Sequence, residues 1–280
     1  MRDPLPSRQP RRPGRAARSS WCAGVLACFA AATPLAVHAA APDSVLTRRA
    51  TAHPMRYHVA LPRGWSAGRA WPVLVVIPDA ARDFVPNLER FVRARGDRPY
   101  LLVAPEVLSC GGARTRTRDL YTYTAAEWDA LAGGDDFAFE DAGLAAVLAD
   151  VQREWHGEPR AFLTGWEAGG HTVWAQAFRH PERWRAVVPV STNYQRRGVP
   201  AAAFSRAAAR ASLPIQPLRC GAPSGDAIEA VTFIDRQMAV ALQDARDHGW
   251  RPRPVQVIRG ADHGPLPDAV FAWCDTLRRR

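Results

Sequence analysis

Ala161-Phe162-Leu163-Thr164-Gly165-Trp166-Glu167-Ala168-Gly169-Gly170-His171 is the stretch that decides the fold of this chain. A short apolar run ends in Gly-x-Glu-x-Gly, with a second Gly behind it, and Thr172 to Arg179 reads as helix. Strand, sharp turn and helix, with small residues flanking the central one, is the layout of a nucleophile elbow. The small residues let the turn tighten and let the helix pack close to the strand. The central residue here is Glu167.

The flanking sequence alternates strand and helix. Met55 to Leu61 reads as an early strand, and Trp71-Pro72 introduces the continuous apolar run Val73 to Ile77. Such a run, bounded by Pro, fits a strand buried on both faces of a parallel sheet. Asn87 to Arg95 reads as a helix closed by Gly96, and Tyr100 to Ala104 as the next buried strand. Phe139 to Trp155 sets Leu144, Val147, Leu148, Val151 and Trp155 on one helical stripe. Beyond the elbow come a strand at Arg185 to Val190, an Ala-rich helix at Ala201 to Ala211 and a weaker strand at Pro214 to Leu218. A long helix at Asp226 to His248, a last strand at Pro254 to Ile258 and a closing helix at Leu266 to Arg279 complete the pattern. The expected class is α/β, one mostly parallel central sheet with helices on both faces.

Pro105 to Asp136 breaks the rhythm. It follows a strand's C-terminal end, where ligands sit in open α/β sheets, and it reads as a long loop over the site. Tyr121 and Tyr123 in that loop, with Trp166 beside the elbow, are the candidate substrate-binding residues. The alternative is a surface Ω-loop with no ligand role.

Composition narrows the function. At 280 residues the chain holds one domain with a full core. All 37 basic residues are Arg, and the net charge of +10 falls to +5 once residues 1–39 are set aside. The Arg residues are scattered and form no basic stripe with interleaved aromatics, so nucleic acid is not an expected partner. Arg2 to Ser20 is basic and Pro-rich, and Trp21 to Val37 is apolar but short for a membrane span. Val37-His38-Ala39 and Ala39-Ala40-Ala41 offer small-residue cleavage sites. Residues 1–39 thus read as a secretory signal peptide and 40–280 as the mature domain, periplasmic or secreted, with no membrane span after processing. Arg11-Arg12 as a twin-Arg signal is opposed by Pro13, and Val25-Leu26-Ala27-Cys28 resembles a lipoprotein box although the apolar run continues past it. An uncleaved membrane anchor is the remaining alternative. The mature chain keeps Cys110, Cys220 and Cys274, an odd number that allows one internal disulfide at most. No cofactor motif or metal-ligand spacing is present, so neither is expected.

Thr164-Gly165-Trp166-Glu167-Ala168-Gly169-Gly170-His171, Phe178-Arg179-His180-Pro181-Glu182-Arg183-Trp184 and Ala186-Val187-Val188-Pro189-Val190-Ser191 together resemble the core of α/β-hydrolases. Within these, they look most like secreted esterases of the polyhydroxybutyrate depolymerase and feruloyl esterase type. The resemblance runs from about Tyr57 to Ala272. It implies an ester or other small-molecule ligand, and acyl-transfer machinery of four parts: nucleophile, His, orienting carboxylate and N–H donors for the oxyanion.

The chemical positions depart from that pattern. His263, in Gly260-Ala261-Asp262-His263-Gly264-Pro265, stands where the family keeps its catalytic His. The family's acid spacing from Gly221 falls on Ser224, which cannot serve. Asp226 lies two residues later and reads either as the acid or as the N-cap of the next helix. Where the family places His-Gly, this chain has Pro78-Asp79-Ala80-Ala81. Ala80 and Ala168 are then the candidate oxyanion donors, and a carboxylate at Asp79 would oppose the developing charge. His171, inside the helix behind the elbow, reads as a packing residue. Glu167 is either a lost nucleophile or a general base for water, since a carboxylate attacking an ester forms an anhydride as reactive as its starting point. An ion pair with His263 would offset the strain of a bulky residue at the turn. Three functions stay open: an esterase-like protein with impaired catalysis and a retained binding pocket, a hydrolase of esters or alkyl substrates using Glu167 and His263, and a non-catalytic envelope protein.

Overall fold

The structure, a computed structural model, describes residues 44–110, 118–131, 134–221 and 228–278. The expected signal peptide, Ser224 and Asp226 lie outside the described residues. Eight strands form one sheet: β1 (Val45–Arg49), β2 (Arg56–Ala60), β3 (Val73–Ile77), β4 (Leu101–Pro105), β5 (Ala161–Trp166), β6 (Trp184–Val190), β7 (Leu218–Cys220) and β8 (Gln256–Ile258). Their spatial order is β1-β2-β4-β3-β5-β6-β7-β8. The β1–β2 and β2–β4 pairs are antiparallel and every other pair is parallel. The helices are α1 (Phe84–Arg95), α2 (Ala125–Leu131), α3 (Asp136–Trp155), α4 (Gly169–Arg179), α5 (Ala209–Ser212), α6 (Ile228–Asp247) and α7 (Pro267–Arg278).

The unbroken apolar runs follow from the layering. Every residue of β3, β4 and β5 is buried. Successive side chains of a strand point to opposite faces. Leu74 and Val76 therefore enter a core with Leu88 and Phe91 of α1 and Val270 and Phe271 of α7. Val73, Val75 and Ile77 enter the other core, with Leu144, Val147 and Val151 of α3 and Val173 and Trp174 of α4. Two cores on two faces are what a sheet covered on both sides requires. No described helix is long and apolar enough to cross a membrane.

Three segments differ from their sequence expectation. Residues 105–136 are not a bare loop: they include a 3₁₀ turn at Arg118–Leu120 and the helix α2. The Ala-rich run is not one helix but a 3₁₀ turn at Ala201–Ala203 followed by α5. Between them Phe204 stacks on Phe178 at 4.6 Å, and the Ser205 N–H bonds the Phe178 carbonyl at 2.7 Å. Tertiary contact there outweighs the helix preference of Ala. The strand expected from Pro214 to Leu218 pairs mainly from Leu218 to Cys220, because Pro214 and Pro217 have no N–H to give a ladder.

The elbow's geometry rests on close backbone approach. A Cβ at Gly169 would overlap the Pro78 carbonyl oxygen, and one at Gly170 would overlap the Thr192 side chain. The Pro78 carbonyl is rigid backbone at the end of β3, so it cannot yield. Gly169→Ala should therefore destabilise the fold by about 1–3 kcal/mol or more, lowering the midpoint by about 2–4 °C for each kcal/mol in a domain of this size. Thermal unfolding of the purified variant checks this; an unchanged midpoint contradicts the close contact.

Candidate functional site

β5 delivers the chain to Glu167, which holds φ at 50° before α4 begins. Few residues other than Gly take that backbone region willingly. It is held there by three hydrogen bonds. The Glu167 N–H donates to Val190 O at 3.1 Å, and the Glu167 carbonyl accepts from Gly170 N at 3.1 Å and Asn193 N at 2.8 Å. The elbow is thus locked to the end of β6 and to the first turn of its own helix.

The Glu167 carboxyl is half-buried and its pKa lies above the ordinary carboxylate value. Desolvation is the main cause, repulsion from Asp79 the second, and the charge of His263 pulls the other way. Asp79 is raised as well, again chiefly by desolvation. Its Oδ1 accepts the Ala81 N–H at 3.2 Å. In the segment where oxyanion donors were expected, the carboxylate of Asp79 has therefore taken a backbone N–H for itself. Ala80, the expected donor there, is half-buried beside Asp79. Ala168, buried at the front of α4, keeps an N–H that meets no acceptor among the described residues.

His263 is exposed in the loop between β8 and α7. The Trp166 ring meets it edge-on, centroid to centroid 5.0 Å. Its side chain interacts with Cys220, at the end of β7. That contact is the first cause of a raised His263 pKa, with burial opposing and the charges of Glu167 and Asp79 adding to it. Cys220 answers in the opposite sense: despite burial its pKa is lowered, by His263, Ser191 and the Gly264 backbone. The Gly264 N–H lies 3.4 Å from the Cys220 sulfur. Sequence reasoning considered Cys220 only as a disulfide candidate. Its place at the end of the strand preceding the His263 strand was the available signal. Cys110, Cys220 and Cys274 are all free thiols.

The expected Glu167–His263 ion pair is not the dominant contact. Each residue feels the other's charge, but no ion pair within 4.0 Å joins them among the described residues. Tyr121 and Tyr123 do not present hydroxyls as ligand contacts. Both are buried, the Tyr121 hydroxyl donating to Val107 O at 3.2 Å and the Tyr123 hydroxyl accepting from Arg56 N at 3.2 Å. Their rings lie 6.0 Å apart, and that of Tyr121 also packs on Trp128 at 5.1 Å. They brace the segment from inside. His171 is buried too, its Nε2 against Arg197 O at 2.8 Å, and burial lowers its pKa to about 4.

One buried carboxyl organises the surroundings. Glu140 of α3 accepts from Leu108 N at 2.7 Å, from Ser109 N, and from the Ser109 hydroxyl at 2.8 Å. The Ser109 hydroxyl also meets the Thr172 hydroxyl of α4 at 2.7 Å. Next along the chain, the Cys110 thiol donates to the Pro78 and Asp79 carbonyls at 2.9 and 2.8 Å. The post-β4 segment, the end of β3 and the elbow helix are thereby tied together. Desolvation pushes the Glu140 pKa up to about 7. Among the described residues, no group of three or more His, Cys, Asp or Glu side chains could hold a metal ion.

No family model matches the chain, and no curated protein matches it. Solved structures do. A poly(3-hydroxybutyrate) depolymerase from Bordetella parapertussis aligns with a TM-score of 0.55 at 18% identity, over 84% of this chain and 93% of that one. An S-formylglutathione hydrolase from Agrobacterium tumefaciens aligns with a TM-score of 0.55 at 13% identity, over 84% and 94%. A poly(aspartic acid) hydrolase from Sphingomonas sp. KT-1 aligns with a TM-score of 0.55 at 14% identity, over 85% and 98%. Against a longer Bacteroides ovatus structure of dipeptidyl aminopeptidase IV type, this chain spans 35% of the length. The fold is the α/β-hydrolase fold, a mostly parallel sheet covered by helices.

The raised Glu167 pKa has a stability consequence. A carboxyl whose folded pKa exceeds its unfolded value of about 4.3 contributes stability that is full below that value and lost as pH rises through the folded one. At neutral pH the desolvation of Glu167 and the repulsion from Asp79 therefore cost stability. Glu167→Gln should raise the unfolding temperature at pH 7, and the gain should vanish by about pH 4. A variant no more stable than wild type at pH 7 contradicts the assignment.

Proposed function

We propose that this protein is an exported, esterase-like α/β-hydrolase whose elbow no longer performs acyl-serine chemistry and whose site persists as a small-molecule binding pocket. The observation that carries this reading is Glu167 itself: a desolvated carboxylate on the elbow, facing repulsion from Asp79. A nucleophile for acyl transfer must leave behind a stable intermediate, and a carboxylate does not. The oxyanion it would generate needs N–H donors. Here the Asp79 carboxylate stands beside Ala80, one of the two candidate donors, and would oppose the oxyanion's charge. The ligand expected in the pocket is an ester or a related carbonyl compound, in line with the esterase-type neighbours. Export is supported by the basic, then apolar, stretch of residues 1–39 with its small-residue cleavage sites.

A second reading is a hydrolase in which Glu167 acts as general base for water. Its support is the raised Glu167 pKa together with the charge of His263 at the same end of the sheet. A base works best with a pKa near the working pH.

Steady-state hydrolysis of p-nitrophenyl acetate separates the two. The wild type should turn over no faster than His263→Ala. A wild type faster by about tenfold or more, some 1.4 kcal/mol of barrier, overturns the binding-pocket reading and favours the general base. Glu167→Ser alone should restore only weak turnover, because Asp79 stays in place and parts of such a machine act as a unit. A kcat within the usual enzyme range of about 1–10³ s⁻¹ for that single variant would show that the surrounding positions are intact.

A further inference from the structure

The antiparallel edge of the sheet carries a hydroxyl, an imidazole and a carboxyl that the elbow does not use. Thr47 of β1 stands directly opposite His58 of β2, and His58 stands opposite Ala104 of β4. Glu106 lies two residues beyond Ala104, and its N–H continues the ladder to Arg56 O at 2.9 Å. It therefore returns to the same side of the pleat as His58. The three side chains meet in a line. Glu106 Oε1 lies 3.1 Å from His58 Nε2, and the Thr47 hydroxyl lies 3.0 Å from His58 Nδ1. Glu106 also accepts the Thr122 hydroxyl at 2.6 Å and the Thr122 N–H at 3.1 Å. A carboxylate only accepts, so His58 carries its proton on Nε2 and turns the Nδ1 lone pair to the Thr47 O–H. His58 and Glu106 are buried, with the Phe84 ring of α1 6.3 Å from the imidazole. Thr47 is exposed, on an edge strand with no outer partner among the described residues. His171 makes the contrast, since its ring ends on the Arg197 carbonyl, which has no proton to give.

We propose that Thr47 is an activated hydroxyl, a covalent modification site for activated acyl and phosphonyl donors, with His58 as its base and Glu106 as the positioning residue. A nucleophile within about 2.6–3.2 Å of a base that a third group orients is the geometry such activation needs. The step balances between these residues and the donor. Thr47 Oγ1 forms a bond to the acyl carbon, or to phosphorus, as the bond from that atom to the leaving group breaks. The hydroxyl proton passes to His58 Nδ1 and from there to the leaving group, or to water where the leaving group is a stable anion. Glu106 holds the tautomer and stabilises the imidazolium formed in between. The product is one acylated threonine per chain. Thr47 lies on β1, four strands from the elbow strand β5, so the inference does not rest on what Glu167 does.

The test is labelling of the full chain by a fluorophosphonate probe, and separately by p-nitrophenyl acetate, with adducts located by peptide mass mapping. The chain contains no Lys, so no side-chain amine competes. Thr47 should react about a hundredfold or more faster than Thr51 and Thr124, exposed threonines outside the relay. Thr47→Val should remove that adduct. Glu106→Gln presents an amide N–H to His58 Nε2 and so forces the proton onto Nδ1, the wrong tautomer for taking one from Thr47. It should slow labelling about a hundredfold or more at an unchanged thermal midpoint. The nitrogen-15 spectrum of His58 should show the proton on Nε2 in the wild type. If Glu106→Gln does not fold, that spectrum and the wild-type comparison with Thr51 and Thr124 decide instead. Thr47 labelling no faster than those two residues overturns the proposal. So does a wild-type His58 protonated on Nδ1, or an unchanged rate in a folded Glu106→Gln. Single-equivalent labelling at Thr47 is read apart from steady-state turnover, so either reading can fail alone.

Discussion

The first turn of α4 runs so close to the end of β3 that backbone meets backbone, the Pro78 carbonyl standing where a side chain of residue 169 would begin. Much of the site's layout follows from that contact. It fixes where β5 must release the chain, so the intervening residue is pressed into positive φ and its side chain is carried to the C-terminal end of the sheet. It brings Asp79, just beyond Pro78, into electrostatic reach of that side chain. It also places Ala168 ahead of the helix, where N–H groups lack intrahelical partners. The scaffold would present any residue at position 167 in the same way, and chemistry depends on which residue that is.

Charge at this end of the sheet is unevenly shared. Glu167 and Asp79 both lose hydration and repel, while His263 draws on both and on the Cys220 sulfur. An imidazolium is the natural centre of such an arrangement, since each neighbouring group favours its charged form. The Trp166 ring meets His263 edge-on, and the neighbouring Gly264 backbone reaches the Cys220 sulfur at the end of β7. His263 and the elbow carboxylate act on each other through charge, with no ion pair within 4.0 Å between them among the described residues.

The central fold was legible because its strands are buried on both faces, and such strands are written as unbroken apolar runs. Val73 to Ile77, Tyr100 to Ala104 and Ala161 to Trp166 all have that form. The elbow was legible because close packing demands Gly at named positions. What was not legible depended on partners far away in the chain. Nothing near Ala201 to Ala211 announces that Phe178 will capture Phe204 and end the helix. Tyr121 and Tyr123 look like ligand contacts until Val107 and Arg56 take their hydroxyls inside. Cys220 lies 43 residues before His263, and only the parallel pairing of β7 with β8 makes them neighbours. Asp226, outside the described residues, keeps both of its sequence readings.

The Glu140 carboxyl is fully enclosed, yet its pKa near 7 means that it gains and loses a proton within the neutral range. A surface acid exchanges with solvent at once. This one is enclosed, its oxygens held by the backbone and hydroxyl of Ser109 and the backbone of Leu108. A change of its charge acts on those bonds first, and through the adjoining Cys110 on the Pro78 and Asp79 carbonyls that its thiol meets.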